Sequence, residues 1–301
     1  MIIYRTMKAQ ELQKVYELWD DFFPHNPISI GELNYLLFFN ETVNCSLYWL
    51  ACEGDNIAGV ACGSLDNINH IGYIQFIGVK KDFRKQGIAS KLMEKLLNEI
   101  SRQGAKEVFF SGYPRNYLVP GLDTEKYPFG LKLFEKFGFT PVSRPVSMHI
   151  LLDSYQPPEI KIPQEFSIVP FGDEHFAPVL CLCNDHLQSE WAEVVQIGYI
   201  RGGYSCNGFV CLCKNEVVGF AFYGMVSEDV RRFGPTGVHP EFRGHSLGKA
   251  LLHSCLEAQK KAGYEKCYFL WGDENSAAVN MYTKNGFSIT NNMTILRKKL
   301  S

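Results

Sequence analysis

The sequence predicts an α/β protein of the α+β kind, made of two tandem copies of one fold. Each copy is read as a mixed sheet flanked by helices. Three observations carry the prediction. The chain has 301 residues, and at roughly 100–200 residues per domain that length suggests two domains. The segment Gly78–Leu92 is read again as Gly237–Leu251: Gly-Val, three residues, an aromatic, Arg, a small-residue loop and an amphipathic run. In both copies strands come first and a strand–loop–helix–strand–helix unit follows, an order that suggests helices on the faces of a mixed sheet and a ligand cleft beside the loop.

The elements can be justified in chain order. Gly59-Val60-Ala61 and Gly219-Phe220-Ala221 form matching strands after turns at Gly54-Asp55-Asn56 and Lys214-Asn215-Glu216. The strand Ile74–Val79 leads into the loop Arg84–Ala89 and a helix over Ser90–Ile100. Leu92, Met93, Leu96, Leu97 and Ile100 recur there at helical spacing. The second copy repeats this with Phe233–Val238, Arg243–Gly248 and then Leu251, Leu252, Cys255 and Leu256. An apolar strand follows in each, Val108–Phe110 and Cys267–Leu270, and then a short helix closed by Gly138-Phe139 or Gly286-Phe287. Glycine suits the left-handed residue that terminates a helix. Between the copies Asp153–Gln164, with Pro157, Pro158 and Pro163, suits a linker. The boundary is placed near 155–160, giving domains of residues 1–155 and 160–301.

Composition excludes several classes of function. Hydrophobic residues make up 46% and charged residues 21%, with a formal net charge of −2, which is ordinary for a soluble globular chain. No strongly basic domain points to nucleic acid. No apolar run approaches the ~18–20 residues that a membrane span needs, and the N-terminus lacks a secretory pattern. The expectation is a cytoplasmic protein with no membrane partner. Ten cysteines include the pairs Cys181/Cys183 and Cys211/Cys213. Their spacing is too short for common zinc motifs, so they are read as small buried hydrophobes in a reducing compartment, with no disulfide and no metal.

The loops carry the chemistry. The first N–H groups of a helix lack intrahelical partners and bear partial positive charge from the helix dipole. Small residues let a phosphate approach them, which makes an anion site suited to pyrophosphate. Ordinary turn glycines are the alternative, weakened because both copies continue into the same helix, strand and Gly-Phe ending. Neither loop has the P-loop or dinucleotide-binding pattern.

Both segments resemble the acyl-CoA-binding motif of the GCN5-related N-acetyltransferase superfamily, Arg/Gln-x-x-Gly-x-Gly/Ala. Arg84, Gly87 and Ala89 match it in full; Arg243 and Gly248 match, with Ser246 in place of the first glycine. The tandem layout is similar to that of mycothiol synthase-like members, without implying their substrate. The resemblance implies acetyl-CoA as acyl donor and an amine of a small molecule or peptide as acceptor. It implies that each copy is a mostly antiparallel twisted sheet with a splayed central strand pair, in which the strand before each loop splays at a bulge and holds the pantetheine arm and thioester through Ile77, Gly78 and Val79, or Thr236, Gly237 and Val238. The N–H groups of Lys85, Gln86, Gly87, Ile88, Ala89 and Ser90 would hold pyrophosphate, as would those of Gly244, His245, Ser246, Leu247, Gly248 and Lys249. Ser246 is tolerable there if its φ is negative, and its hydroxyl could donate to phosphate.

Acetyl transfer to an amine passes through a tetrahedral intermediate and needs a base for the ammonium and an acid for the leaving thiolate. Asn275 to Tyr282 matches the family's Asn-x-x-Ala-x-x-x-Tyr pattern, which implies Asn275 as a cofactor contact and Tyr282 as the acid. A core tyrosine is the other reading of Tyr282. In the first copy Phe134 stands at that position, which leaves Tyr117 or Tyr127 as acid, unassisted departure of the thiolate, or a silent copy. The first copy thus has the better loop and the second the better acid. Glu53, Asp123, Asp273 and Glu274 are candidate bases, and His245 is read as a solvent-facing loop residue. An insertion rich in Tyr, Pro and Gly, residues 111–128, is expected to cover the first copy's acceptor site or to pack between the domains. A CoA-binding sensor or scaffold with degenerate catalysis is the competing function.

Overall fold

The computed structural model describes residues 1–38, 44–112, 117–227 and 229–300. In chain order its strands and α-helices are β1 (Ile2–Thr6), α1 (Leu12–Glu17), α2 (Trp19–Phe22), α3 (Ile30–Phe38), β2 (Tyr48–Glu53), β3 (Asn56–Asp66), β4 (Ile71–Val79), α4 (Ile88–Arg102), β5 (Glu107–Phe110), α5 (Pro128–Lys136), β6 (Thr140–Ser143) and β7 (Pro145–Leu151). There follow β8 (Phe166–Pro170), α6 (Phe176–His186), α7 (Ser189–Arg201), β9 (Asn207–Cys213), β10 (Glu216–Tyr223), β11 (Phe233–Val238), α8 (Leu247–Lys261), β12 (Lys266–Asp273), α9 (Ala277–Lys284), β13 (Ser288–Asn292) and β14 (Ile295–Lys299). The chain divides into two units, residues 1–146 with 291–301 and residues 147–290.

The first unit holds one sheet of order β1-β2-β3-β4-β5-β14-β6. Its pairs are antiparallel except β4 with β5, which run parallel. The second unit holds an antiparallel sheet, β11-β10-β9-β8, and a three-stranded one, β12-β7-β13. The last strand of each repeat is therefore traded. β14 inserts between β5 and β6 of the first unit, and β7 stands in the same place between β12 and β13 of the second.

Local sequence explains the elements. The β9–β10 turn is two residues long, and Lys214 and Asn215 both have positive φ (50° and 71°), as a twisted hairpin prefers. Gly138 and Gly286 end their helices at φ 81° and 93°, in the left-handed conformation expected of them. The helix predicted over Ser90–Ile100 is longer, Ile88–Arg102, and buries Ile88, Leu92, Met93, Leu96, Leu97 and Ile100 along one stripe. Each such side chain contributes about 1.5–3 kcal/mol when fully buried. A Cβ on Gly59 would lie 3.1 Å from both Ile88 and Leu92, so α4 packs tightly on β3. Trp19 and Phe23 pack edge-on against Phe76 of β4, with ring centroids 5.1 and 5.6 Å away.

The ten cysteines are free. Of the two Cys-x-Cys pairs only Cys183 and Cys211 are buried; Cys181 is exposed and Cys213 half-buried. Among the described residues no helix is long and apolar enough to cross a membrane, and no group of three or more His, Cys, Asp or Glu could hold a metal ion.

The exchanged strand contributes Leu296, which is fully buried. Leu296→Ala is expected to destabilise the first unit by about 2–5 kcal/mol through lost burial and the cavity left behind. Urea unfolding measures this, and a variant as stable as the parent would contradict the interior placement of β14.

Candidate functional site

The site begins at a break in pairing. On β4, Phe76 faces Cys62 and Ile74 faces Gly63 of β3, so Gln75 is an extra, bulged residue. The ladder between β4 and β5 runs from Ile71↔Glu107 to Ile74↔Phe110. Past the bulge, β4 diverges from β5 while staying paired to β3. Lys80 N–H donates to Ala58 O at 2.9 Å. By antiparallel alternation Gly78 also turns its polar groups to β3, and Ile77 and Val79 turn theirs outward into the cleft. The Val79 carbonyl accepts from Arg84 Nε at 3.0 Å, which fixes the start of the loop.

Gly78 has a different task. A Cβ there would come within 2.7 Å of the Phe23 ring and 2.9 Å of Phe22 Cβ, so glycine lets α2 and the residue after it close on the strand. Gly237 repeats this: its Cβ would meet Leu187 at 2.5 Å and Trp191 at 3.1 Å. The shared Gly-Val thus pairs a packing glycine with a residue whose backbone faces the cleft.

The two loops have the same backbone built from different residues. Lys85 and Gly87 have φ of 63° and 80°; Gly244 and Ser246 have 90° and 61°. Each loop needs two left-handed residues and supplies one glycine, at opposite positions. The condition attached to Ser246, a negative φ, is not met: the helix cap requires the left-handed conformation, and serine adopts it at a cost of about 1–2 kcal/mol. Lys85 carries the same strain in the first loop. The first helical bonds are Lys91 N to Gly87 O and Ala250 N to Ser246 O. The N–H groups of Ile88, Ala89 and Ser90, and of Leu247, Gly248 and Lys249, precede them and lack intrahelical acceptors. Neither cap residue bonds its helix through a side chain. The side chains of Ile88 and Leu247 are buried, whereas Arg84, Lys85, Gln86, Arg243, Gly244 and His245 are exposed.

In the second unit Arg243 Nε donates to Val238 O at 3.3 Å, matching Arg84, and His239 N–H donates to Val218 O, so Thr236 and Val238 present their backbone outward. The pairing of β10 with β11 shifts between Ala221↔Thr236 and Tyr223↔Phe233, at Gly234-Pro235. The root of this cleft is built differently. A parallel bridge, Arg232↔Tyr268, adjoins β11 and β12. Side chains brace it: Tyr268 OH donates to Asp229 at 2.9 Å, and Arg231 grips the same carboxylate at 2.7 and 2.8 Å. Sequence reasoning missed this clamp, whose members are scattered over 40 residues without a motif.

The acetyltransferase (GNAT) family profile matches residues 12–117, and a GNAT domain profile matches residues 205–289. The chain is a tandem, two-domain member of the GNAT superfamily. An uncharacterised N-acetyltransferase of Methanocaldococcus jannaschii is 33% identical over 86 residues, 26% of this chain and 38% of that protein. Among solved structures, a fungal multi-domain β-N-acetylglucosaminidase with a GCN5-related glucosamine N-acetyltransferase region matches with a TM-score of 0.80 at 17% identity, over 99% of this chain and 38% of that one. The chain thus spans well under half the length of both proteins. A tandem GNAT protein from the clavulanic acid biosynthesis pathway matches with a TM-score of 0.74 at 15% identity, over 99% of this chain and 98% of that one. At such identities the structural likeness is one of fold.

Phe134 and Tyr282 occupy matching positions in the two repeats, and both lie in the core. Phe134 packs between Phe110 and Phe139, with centroids at 4.5 and 5.1 Å. Tyr282 packs in the same way between Phe269 and Phe287, at 4.6 and 5.5 Å. Burial pushes the Tyr282 phenol well above its ordinary pKa, so it is protonated at neutral pH. Asn275 is exposed in a left-handed turn (φ 63°) just before Ser276, whose hydroxyl caps α9 by accepting from Val279 N–H at 3.1 Å.

Seven residues before Phe134, where the second unit has Asn275, the first has Tyr127. Its hydroxyl donates to Asn26 Oδ1 at 2.7 Å and accepts from His25 N–H at 3.3 Å. Of the insertion, residues 113–116 lie outside the described residues, and Tyr117 is half-buried. Leu122 exchanges backbone bonds with Thr294 at 2.8 and 2.9 Å, tying the insertion to the C-terminal segment of the first unit. Asp123 accepts from Glu125 and Lys126 N–H, which commits it to a turn. Asp273 accepts from Trp271 Nε1 at 3.1 Å; Glu53 lies 3.7 Å from the chain's amino group, and Glu274 is exposed.

A Cβ added at Gly87 would touch nothing within 4 Å, so its φ of 80° alone penalises a side chain. Gly87→Ala is expected to cost about 1–2 kcal/mol. Chemical denaturation reads this directly, and a neutral substitution would mean that the cap is not left-handed.

Proposed function

We propose that the chain is an acetyl-CoA-dependent N-acetyltransferase. An acetyl group passes from the thioester to a primary amine of a small molecule or peptide by direct attack in a ternary complex. The observation that carries this reading is the coincidence, in each unit, of outward backbone groups on a diverging strand with open N–H groups at the next helix. The outward pairs, Ile77 with Val79 and Thr236 with Val238, suit a pantetheine arm of amides and a thioester. The N–H groups after Gly87 and Ser246 suit a pyrophosphate. In the reaction the nitrogen of the neutral amine bonds to the thioester carbon and gives up a proton to water, the oxyanion collapses, and the C–S bond breaks as the thiolate takes a proton from the acid. Tyr282 supplies that proton in the second unit, and in the first Tyr127 and Tyr117 are the candidates. Because the two loops share one backbone, both are taken as donor sites.

Calorimetric titration with acetyl-CoA is expected to give two equivalents. Gly87→Trp and Gly248→Trp are each expected to remove one, since bulk at these positions fills the approach to the helix end. No binding in the parent would remove the acetyltransferase reading. In protein carrying Gly87→Trp, Tyr282→Phe is expected to lower kcat by about 10²–10⁴, the usual worth of a positioned acid. CoA release would be followed with a panel of amines that includes glucosamine. An unchanged kcat would make Tyr282 a core residue only.

A further inference from the structure

The two walls of the first unit's cleft are joined by a hydrogen-bonded side chain. The near wall is β4 with α2 packed on it. Phe22 and Phe23 close on Gly78, Trp19 meets Phe76 edge-on, and Asp21 lies 3.5 Å from Lys80 Nζ. This packing carries the turn that follows α2. Asn26 N–H donates to Phe23 O at 3.0 Å, and Asn26 O accepts from Trp19 Nε1 at 2.7 Å. Both backbone groups of Asn26 are therefore fixed to the near wall.

The far wall is β5 with β14 beside it. Leu122 pairs with Thr294, the residue before β14. Asp123 then shapes a turn: its carboxylate accepts from Lys126 N–H at 3.0 Å and its carbonyl from Tyr127 N–H at 2.9 Å. Pro128 opens α5, where its ring fixes φ for the helix. The backbone of Tyr127 is thus anchored on the far wall.

Its side chain reaches the near one. The Tyr127 hydroxyl donates to Asn26 Oδ1 at 2.7 Å and accepts from His25 N–H at 3.3 Å. The ring meets that of His25 edge-on, with centroids 5.5 Å apart. Burial pushes the phenol above its ordinary pKa, so it keeps its proton at neutral pH. Arg84 opposes that rise, which puts the hydroxyl within electrostatic reach of the residue that holds the Val79 carbonyl. In the second unit the matching residue, Asn275, is exposed, and among the described residues its side chain makes no hydrogen bond.

A donor with its pyrophosphate at the N–H groups after Gly87 points its acyl end toward the bulge at Gln75. Its arm has to pass Val79, where Tyr127 crosses. We propose that Tyr127 is a strap over the first cleft, under which the pantetheine arm lies and which must open for the donor to enter or leave. The first unit then exchanges its donor slowly and the second exchanges it freely. The proposal rests on the reading of the 84–89 loop as a donor site.

The test follows release of labelled acetyl-CoA from the full chain after a chase with excess unlabelled acetyl-CoA. No acyl transfer enters this readout, so a role of Tyr127 as proton donor does not affect it. Two phases are expected, the slow one disappearing in Gly87→Trp and the fast one in Gly248→Trp. Tyr127→Phe removes both bonds and should speed the slow phase about tenfold, and Asn26→Ala, which removes one, should speed it about threefold. Adding Asn26→Ala to Tyr127→Phe should change nothing further, because Asn26 acts through the hydroxyl. A single release rate for two occupied sites overturns the strap, as does a slow phase that survives Gly87→Trp or is unchanged in both Tyr127→Phe and Asn26→Ala. If the parent binds one equivalent, at the second loop, a further equivalent gained by Tyr127→Phe supports the strap, and its continued absence overturns it. No binding by the parent or by Tyr127→Phe overturns the acetyltransferase reading itself, and the strap with it.

Discussion

A strand that parts from its neighbour leaves peptide groups without partners, and in this protein that constraint organises each unit. Past Gln75, β4 keeps only β3 beside it, so the polar groups of Ile77 and Val79 have no ladder to join. Buried backbone groups are rarely left unpaired, so an open cleft is their natural setting. Arg84 takes up the Val79 carbonyl and at the same time sets the direction of the loop. The loop then delivers a helix start whose N–H groups are also open. Two stretches of unsatisfied backbone are thereby placed in succession along one path.

The exchanged strand belongs to the same constraint. β5 has four residues and meets β4 over only four pairs before the cleft opens. Its other edge is covered by β14 over four more pairs, Leu296↔Phe110 to Lys299↔Glu107. Without β14 the far wall of the cleft would hang from one short ladder. In the second unit the link between β11 and β12 is shorter still, and there the Asp229–Arg231–Tyr268 clamp supplies what the ladder does not. Both units thus secure the root of the cleft from outside it.

Much of this was legible in the chain because it is periodic or repeated. The stripe from Leu92 to Ile100 declares a helix, the Gly-Phe endings declare a left-handed stop, and the repeat of Gly-Val before each loop marks the diverging strand. What could not be read has a common cause: it depends on partners distant in sequence. Ile295–Lys299 has the same strand character whichever sheet it joins, so the exchange leaves no local trace. Tyr127 reads as one aromatic in an insertion until the fold sets it beside Asn26. The glycine of Gly-Val reads as backbone that approaches a ligand, whereas Gly78 makes room for Phe22 and Phe23.

The loops show why residue patterns and geometry can disagree. Compared letter by letter, Arg-x-x-Gly-x-Ala is intact and Arg-x-x-Ser-x-Gly is degraded, which favours the first copy. Compared by backbone, they are equivalent, because each places two left-handed residues and spends glycine on one of them. The strain that Ser246 adds in the second loop is relieved at Gly244, where the first loop strains Lys85. An anion site made of N–H groups depends on the path of the chain and hardly on its side chains, so either distribution of glycine suffices. Divergence between the units falls instead on side chains, as at Phe134 against Tyr282 and Tyr127 against Asn275.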